Sequence, residues 1–470
     1  MSKKDFEGNL GHGERKPLVK RFEKMMKSNG NEFFDHHSFE KILEYYEEQL
    51  DFKTGLKAVN IALTQYPFSG TFLMKKGEYL FENKLFKEAV EYLNKAEIYD
   101  PADMRIYFIL SDVYIELEQY ENALRALQKA EELAADVEII DVYLEFVDLY
   151  EDWAKLDLVL KYLKKALVRD PRHFEAQSRF QFVTEINDKD EIAVNFLQKL
   201  IDKDPYSKHS WYNLANAYYN LELFEKAIEA YEYAIAIDEN FEMAHRDCGQ
   251  TLYEIELYDK AIEMLQESIK INPSSDESFY FLGMCFYKQD LYNKAINYFK
   301  KAISIDEFYA EAWHGLSLTY LSMKRYQSAM DAIHKALDTD NNSFYFNLHA
   351  AKICFVQGKD DNAMFYINRL KNYDPTEQVI WNEIAILLFK TENTEAAINT
   401  IINLKEKIGH KAERAYLLAV FHFDLGMKNK AMNYLAEALD LNYEKHNIIF
   451  DLLPYLRENR EVNDLIDLYK

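Results

Sequence analysis

The sequence predicts an all-α solenoid built from stacked helical hairpins, and three observations carry that prediction. One pattern of apolar and small residues returns every 34 residues along almost the whole chain. Within each period the apolar residues are spaced three and four apart, which places them on one face of an α-helix. Glycine and proline are rare, with 13 and 8 copies in 470 residues, as expected where nearly everything is helical and connections are short.

The repeated unit is clearest between residues 208 and 238. If Lys208 is position 1, large apolar residues fall at positions 4, 7 and 11 of a first helix and at positions 17 and 24 of a second, with alanine at 8, 20 and 27. These residues are Trp211, Leu214, Ala215, Tyr218, Phe224, Ala227, Tyr231 and Ala234. The small residues let two helix axes approach closely, and the large ones fill the space between them. Because helices this short are marginal in water, each hairpin needs its neighbours.

Three columns of the repeat test this pattern. Position 20 is Gly55 in the first copy and Val159 in the fourth, and elsewhere it is alanine: Ala89, Ala123, Ala193, Ala227, Ala261, Ala295, Ala329, Ala363, Ala397 and Ala431. Position 24 is apolar throughout: Val59, Leu93, Leu127, Leu163, Leu197, Tyr231, Leu265, Phe299, Ile333, Ile367, Ile401 and Leu435. Position 32 holds six prolines: Pro67, Pro101, Pro171, Pro205, Pro273 and Pro375. A proline there cannot continue the second helix, so it marks the end of each unit.

With these columns the chain resembles the tetratricopeptide repeat family, whose 34-residue helix–turn–helix carries Trp, Leu, Gly, Tyr, Ala, Phe, Ala and Pro at these positions. Twelve copies match, beginning at residues 36, 70, 104, 140, 174, 208, 242, 276, 310, 344, 378 and 412, with a two-residue insertion near 135–139. The copy from 174 is weak, since Gln177, Gln181 and Thr184 replace the usual Trp, Gly and Tyr. The resemblance implies a right-handed superhelical solenoid with a concave groove.

Composition excludes several classes of function. The net charge of −24 argues against a protein that tracks nucleic-acid phosphates. No apolar run approaches the roughly 18 residues that a membrane span needs, and the N-terminus lacks a signal-peptide core. The three cysteines, Cys248, Cys285 and Cys354, fall at different positions of three copies and are predicted to be core thiols in a reducing compartment. The predicted location is the cytoplasm.

The chain divides into residues 1–35, the repeats at 36–445, and residues 446–470. The first segment is a basic tail, +4 over residues 1–28, with one amphipathic helix predicted at Pro17–Lys27. That helix caps the first repeat, binds a partner, docks in the chain's own groove or lies on a membrane surface. Docking would bring Phe22 and Met25 towards Met74 and Phe108.

The last segment continues the repeat pattern as a truncated capping hairpin, in which Pro454 is expected to kink the first helix. Its apolar residues stand at positions 4, 7, 11, 17, 20 and 24: Ile449, Leu452, Leu456, Val462, Leu465 and Tyr469.

No catalytic or cofactor motif stands out in the sequence. It contains no phosphate-binding glycine loop, no HExxH and no CxxC. His36 and His37 beside Asp35 are the only cluster with the character of a metal site, and adjacent residues on a helix point apart. The chain is therefore predicted to be non-enzymatic, with no metal and no cofactor.

The resemblance implies that positions 2, 5, 9, 12 and 13 face the groove, and helical geometry agrees, since 5, 9 and 12 share a stripe about 100° from the packed one. In the first four copies position 9 is acidic: Glu44, Glu78, Asp112 and Asp148. From the fifth copy onward, beginning with Phe182, position 9 is no longer acidic. The groove columns then supply aromatic, polar and apolar candidates: Tyr212, Asn216, Tyr219, Arg246, Gln250, Tyr253, Tyr280, Met284, Tyr287, His314, Lys352, Phe355, Asn382, Phe389 and Phe423. Packing between first helices and simple solubility are the competing explanations, yet neither requires this segregation of charge and aromatics.

These columns predict a protein–protein interaction scaffold that binds partner segments in the groove. Self-assembly into homo-oligomers and a role as a regulatory or adaptor subunit of an enzyme complex are the alternatives. The partner is expected to be a protein or peptide segment, basic with spaced apolar anchors, and neither nucleic acid nor an integral membrane segment. The cationic clamp with which chaperone-docking members bind a terminal carboxylate looks absent, since Tyr212 and Asp247 occupy its places.

Overall fold

The structure, a computed structural model, describes residues 4–28, 30–370, 378–390, 394–403 and 411–470. Within those residues the regular structure is entirely helical, so the predicted all-α solenoid of helical repeats is confirmed. The chain forms two compact units, Met1–Glu239 and Asn240–Lys470. Each is described separately.

The first unit begins with α1 (Lys4–Lys27) and continues as helical hairpins. Its first helices are α2 (His36–Glu48), α4 (Gly70–Glu82), α6 (Met104–Glu116), α8 (Ile139–Asp152), α10 (Phe174–Glu185) and α12 (Lys208–Asn220). Its second helices are α3 (Phe52–Gln65), α5 (Phe86–Tyr99), α7 (Tyr120–Leu133), α9 (Leu156–Arg169), α11 (Asp190–Lys203) and α13 (Phe224–Ile237).

The second unit continues the same alternation. Its first helices are α14 (Glu242–Glu254), α16 (Asp276–Lys288), α18 (Ala310–Ser322), α20 (Phe344–Val356), α22 (Gln378–Lys390) and α24 (Lys411–Asp424). Its second helices are α15 (Tyr258–Ile271), α17 (Tyr292–Ile305), α19 (Tyr326–Thr339), α21 (Asp360–Leu370), α23 (Thr394–Asn403) and α25 (Lys428–Leu441). In both units the first helices begin within one residue of the repeat starts predicted from the sequence.

In several hairpins the large side chain at position 24 packs against a glycine of a first helix, where no side chain fills the space. Phe299, at position 24, is fully buried and lies between Gly283 of its own hairpin and Gly315 of the next. A Cβ atom on Gly283 would stand 2.6 Å from the Phe299 ring, and one on Gly315 would stand 2.5 Å from it. Gly249 and Leu265 repeat the arrangement at 2.6 Å. The small and large columns of the sequence are therefore two sides of one contact.

The turn inside each described hairpin contains a left-handed residue at position 15. Nine of these residues are not glycine and have φ between 52° and 63°: Leu50, Lys84, Glu118, Ala154, Asp188, Glu222, Glu256, Asp290 and Lys324. Glycine fills the position only at Gly358 and Gly426. The conformation lets the next amide return to the end of the first helix, as where Lys155 N donates to Tyr150 O at 2.8 Å. Backbone strain is thus accepted at regular intervals for a compact turn.

Replacing Ala154 by glycine is expected to raise the free energy of unfolding by about 1 kcal/mol, because a Cβ disfavours the left-handed region by roughly that much or more. Ala154 is exposed, so only a methyl group at the surface is lost. Urea denaturation followed by helical circular dichroism measures the change. The matched control is Ala134→Gly at φ −63°, where the glycine should bring no gain. A gain of equal size in both variants would contradict this explanation.

The N-terminal helix packs on the first hairpin. Val19, Phe22 and Met25 are buried in a cluster with Phe34 and Phe39, and the Phe22 ring lies 5.6 Å from that of Phe34. Of the alternatives for this helix, capping is the one that the packing supports. The suggested reach of Phe22 and Met25 to residues 74 and 108 is wrong, because both side chains are occupied in this cluster.

The predicted start of that helix is also wrong. The helix begins at Lys4, and Pro17 lies inside it rather than in its first turn. A proline inside a helix removes one backbone hydrogen bond, a cost that does not by itself force the helix to begin there.

The C-terminal segment closes the second unit. It runs through η1 (Tyr443–His446), α26 (Asn447–Leu452), η2 (Pro454–Glu458) and α27 (Arg460–Leu468). Ile449, Leu456 and Val462 are buried with the last hairpins. Pro454 begins a short 3-10 helix, so the expected kink is instead a complete break after Leu452. The cause is that proline cannot donate the hydrogen bond that would continue α26.

The hairpin of α10 and α11 keeps an apolar core around Phe180 and Leu197, but polar side chains replace several of the usual large residues on α10. Gln177 is buried, and its amide nitrogen donates to Ser210 Oγ at 2.8 Å while its amide oxygen accepts from Asn213 at 2.6 Å. Thr184 is buried too and donates back to Phe180 O within its own helix. Such hydrogen bonds replace those to water and contribute little net stability compared with buried apolar area.

Hydrogen exchange is therefore expected to be faster across residues 174–200 than across residues 208–240. Local opening begins where few apolar contacts must be broken. Amide exchange followed by mass spectrometry resolves the two segments. Slower exchange in 174–200 would show that the polar network holds this hairpin more firmly than its neighbour.

Candidate partner-binding surfaces

The described residues hold no cluster of three or more His, Cys, Asp or Glu side chains arranged for a metal ion. His36 stacks on Phe72 at 4.2 Å and shares a hydrogen bond with Ser69, which gives it a packing role. The three cysteines are buried, and burial raises the pKa of the Cys285 thiol to about 12. Among the described helices, none is long and apolar enough to cross a membrane.

Three carboxylates of α6 and α8 stand close together in the first unit. We call Asp112, Glu145 and Asp148 the acidic cluster. Burial, and then the charges of Asp148, Glu116 and Glu82, raise the pKa of Asp112 to about 7. Burial and the neighbouring carboxylates, Asp112 first, raise the pKa of Glu145 to about 7 as well. Among the described residues, no cation lies within 4.0 Å of either carboxylate.

Cations at position 6 of the first helices neutralise part of the acidic column. Arg179 binds Asp148 at 2.6 Å and Glu151 at 2.7 Å. Lys75 of α4 binds Glu47 of α2, the preceding first helix, and Glu78 of its own helix, both at 2.9 Å. Glu44 is exposed on α2 and contributes, after burial and the nearer Glu47 and Glu78, to the raised pKa of Tyr79. All four acids predicted at position 9 thus lie on one row of first helices.

A cavity of about 590 Å³ opens beside this row, between the α8–α9 turn and α10. Its wall includes Arg179 and Glu151 together with Phe182 and Ile186, which are 61% and 60% exposed. Large apolar side chains this exposed, gathered at a concavity, are typical of sites that accept a partner's side chain. The cavity places an apolar surface next to the acidic cluster.

The aromatic column at position 12 has a packing role. Tyr219 contacts Phe224 with ring centroids 5.6 Å apart, and Tyr253 contacts Tyr258 at 5.8 Å. Tyr287 contacts Tyr292 at 6.1 Å. In each case the position-12 ring fastens the end of the first helix to position 17 of the second. These rings are half-buried, so part of each face remains open.

Two other candidates form ion pairs within the second unit. Arg246 binds Asp247 and Glu277, both at 2.7 Å. Lys352 binds Glu383 at 2.7 Å, again position 9 to position 6 of the next first helix.

Two candidates of the second unit, Tyr280 and His314, pack against other aromatic side chains. Tyr280 lies 5.4 Å from Tyr309, and burial raises its pKa to about 12. Burial lowers the pKa of His314 to about 4, beside His349 at 4.9 Å.

The remaining candidates are half-buried on their first helices: Asn216, Gln250, Met284, Phe355, Phe389 and Phe423. Tyr212 and Asn382 were expected to face the groove, but they are buried, with only 4% and 6% of their surface exposed. The Tyr212 ring packs 5.8 Å from that of Tyr231, and Asn382 donates to Glu413 at 3.3 Å. Both face neighbouring helices, since position 5 lies at the edge of the packed stripe.

The sequence analysis did not select Glu145 and Arg179, although both side chains lie beside the position-9 acids. The signal was available at position 6, whose side chains stand 31 residues after position 9 of the preceding copy. Arg179 with Asp148 and Glu383 with Lys352 both keep that spacing.

Comparisons with known proteins agree with this architecture. Models of the tetratricopeptide repeat match residues 210–241 and 277–309, and a second set matches residues 249–275, 310–343 and 412–445. The chain is a tetratricopeptide repeat protein. A model of the ChAPs (Chs5p-Arf1p-binding proteins) matches residues 45–131 of this repeat protein. Among curated proteins none matches.

Solved structures similar to this repeat protein differ widely in sequence. The Cut9 and Hcn1 complex of APC/C is 14% identical, with 93% of this chain and 96% of that chain covered and a TM-score of 0.40. IFIT1 bound to a capped RNA is 16% identical, with 78% and 91% covered and a TM-score of 0.47. YrrB, described as having an unusual peptide-binding site, is 22% identical, with 40% and 97% covered and a TM-score of 0.33.

Proposed function

We propose that this repeat protein is a non-enzymatic scaffold that binds basic, apolar-anchored segments of partner proteins on the first helices of its first unit. The observation that carries the proposal is the pair Asp112 and Glu145, two partly buried carboxylates on α6 and α8 that have no ion pair among the described residues. Burial and the neighbouring carboxylates raise the pKa of each to about 7. At neutral pH they are partly charged and mutually repelling. A cationic side chain placed between them would remove that repulsion and gain charge-assisted hydrogen bonds.

The cavity beside Phe182 and Ile186 supplies the anchor that a charged site alone would lack. Burying one aliphatic side chain there contributes roughly 1.5–3 kcal/mol, while exposed ion pairs are each worth about 1 kcal/mol or less. We therefore expect the apolar contact to provide most of the affinity and the acidic cluster to provide orientation and selectivity.

The matched region 45–131 supports an adaptor role in the same unit. The description of that family names binding to Chs5p and Arf1p, which is a binding role rather than a catalytic one. We extend only that role to this chain and propose that α3 to α7 carry protein contacts. A cytoplasmic setting, in which the three buried thiols stay reduced, belongs to the same proposal.

The test uses the full chain and a fluorescein-labelled peptide of Lys and Ala with one central Leu. Asp112→Asn combined with Glu145→Gln should weaken its binding about tenfold and flatten its salt dependence, because the attraction is screened by ions. Phe182→Ser should weaken binding by a similar factor and leave the salt dependence unchanged.

The matched control is Glu132→Gln with Glu225→Gln, two exposed carboxylates of second helices. It makes the same charge change and should leave the affinity of the peptide unchanged. If the control and the Asp112 and Glu145 variant behave alike, net charge rather than this cluster recruits the peptide. Light scattering in the absence of peptide tests the self-assembly alternative.

A further inference from the structure

A second charged surface lies on the second helices of the first unit and has the opposite sign. The helix α9 carries Lys161, Lys164, Lys165 and Arg169 against a single Asp157, so its net charge is +3 in a chain whose total is −24. These residues line a cavity of about 570 Å³. We call this cavity and its cations the basic pocket.

Only two of the four cations of the basic pocket form ion pairs among the described residues. Lys165 binds Glu131 at 3.1 Å, and Arg169 reaches Asp136 at 3.3 Å. For Lys161 and Lys164, none of the carboxylates in the described part of the chain lies within 4.0 Å. Burial, and then the nearby charge of Lys199 on α11, lower the pKa of Lys164. Two ammonium groups are thus held near a concavity without a carboxylate at ion-pair distance among the described residues.

The pocket is apolar as well as basic. Val168 and Ile192 line it and are 47% and 40% exposed, and Leu160 and Tyr143 form its inner wall. A small inorganic anion would use the lysines and leave this apolar surface in water. A ligand that has carboxylates and an aliphatic side chain would satisfy both.

We propose that the basic pocket binds a short acidic peptide segment carrying one aliphatic anchor. Its carboxylates would pair with Lys161 and Lys164, and its anchor would lie on Val168 and Ile192. Extended polyanions fit less well, because a nucleic acid or an anionic membrane would also cover Asp157, Glu191 and Asp202 on the same two helices. A short segment in the pocket meets only Asp157 of these three carboxylates, because Glu191 and Asp202 do not line the pocket. This site is independent of the one on the first helices.

The probe is a short fluorescein-labelled peptide of Asp and Glu with one central Leu, titrated with the full chain. Lys161→Glu combined with Lys164→Glu should weaken binding about tenfold or more, since two charge-assisted contacts become repulsive. Ile192→Ser should weaken it severalfold. The matched control, Lys260→Glu with Lys300→Glu on exposed second helices of the other unit, should bind as the wild type does.

Equal affinities in the Lys161 and Lys164 variant and in the control would overturn the proposal. So would an unchanged affinity in Ile192→Ser together with displacement by inorganic phosphate, which would leave a simple anion site. Vesicles of anionic lipid that need these lysines, with no binding of the peptide, would assign the pocket to a membrane instead. The basic peptide used for the first site should bind every one of these variants, so failure of one site is distinguishable from failure of the other.

Discussion

Phe299→Ala is expected to lower the free energy of unfolding by about 3–5 kcal/mol, the usual cost of emptying the space of a buried phenylalanine. The loss should lie near the upper end, because the ring touches two hairpins at once. It fills the space above Gly283 in its own hairpin and above Gly315 in the next, and neither glycine has a side chain that could move into the cavity. Urea denaturation followed by circular dichroism measures the change.

Two further variants make the comparison specific. Phe308→Ala removes the same atoms from a side chain that is 68% exposed, and it should cost less than about 1 kcal/mol. Phe299→Leu should cost about 1.5 kcal/mol or less, since leucine fills the same column at Leu93 and Leu265. If Phe299→Ala and Phe308→Ala were equally destabilising, the contact between position 24 and the glycines would not be the core of the stack.

The fold could be predicted from the sequence because its decisive contacts are short in sequence and repeated. Phe299 meets Gly283, which lies 16 residues before it, and Leu93 and Leu265 meet Gly77 and Gly249 at the same spacing, so several copies carry the same constraint in the same two columns. What one copy leaves ambiguous, the others resolve. The weak copy at 174 illustrates the reverse, since its buried amide Gln177 departs from the columns and forms a hydrogen bond with Ser210 of the next hairpin.

The turns were beyond sequence reasoning for a physical reason. Left-handed backbone is recognised by glycine, and nine of the described position-15 residues are leucine, alanine, lysine or acidic residues. The stacked helices impose the conformation from outside, and the local residue tolerates it. Only the three-dimensional arrangement shows this.

The sequence predicted the acidic residues of the candidate site but not the side chains with which they pair. The acidic column was found, but Arg179, which neutralises part of it, and Glu145, which intensifies the rest, come from position 6. That column is neither in the packed stripe nor among the five positions that the family resemblance places in the groove. Tyr212 was assigned to the surface by the same geometry and is buried against Tyr231. Which side chains meet between consecutive first helices depends on how far the helices are rotated against each other, and periodicity within one helix does not contain that angle.

Asp112→Asn is expected to stabilise the first unit at pH 8 by roughly 2–4 kcal/mol, although it removes a charge from a very acidic protein. Folding raises the pKa of this carboxyl from 3.8 to about 7. The ionised form is therefore less stable in the folded chain than in the unfolded one. Asparagine keeps the shape of the side chain and abolishes the charge.

The sign of the pH dependence follows from the same shift. Between pH 3.8 and about 7 the folded state binds the proton that the unfolded state has lost, so the first unit loses stability as the pH rises through this window. The benefit of Asp112→Asn should accordingly be full above pH 7 and vanish towards pH 4.

Burial lowers the pKa of His314 and His349 in the other unit, which makes that unit less stable in acid. Subtracting the wild-type curve removes this contribution.

The control is Glu132→Gln, an exposed carboxylate on α7, which should change stability by less than about 0.5 kcal/mol at either pH. If Asp112→Asn stabilised the chain equally at pH 5 and pH 8, relief of charge repulsion would not be the cause. The variant carries a second consequence, because the carboxylate that weakens the fold is the one proposed to attract a cationic partner. A more stable protein that binds the basic peptide less tightly is the expected result, and stability gained with undiminished binding would separate the acidic cluster from recognition.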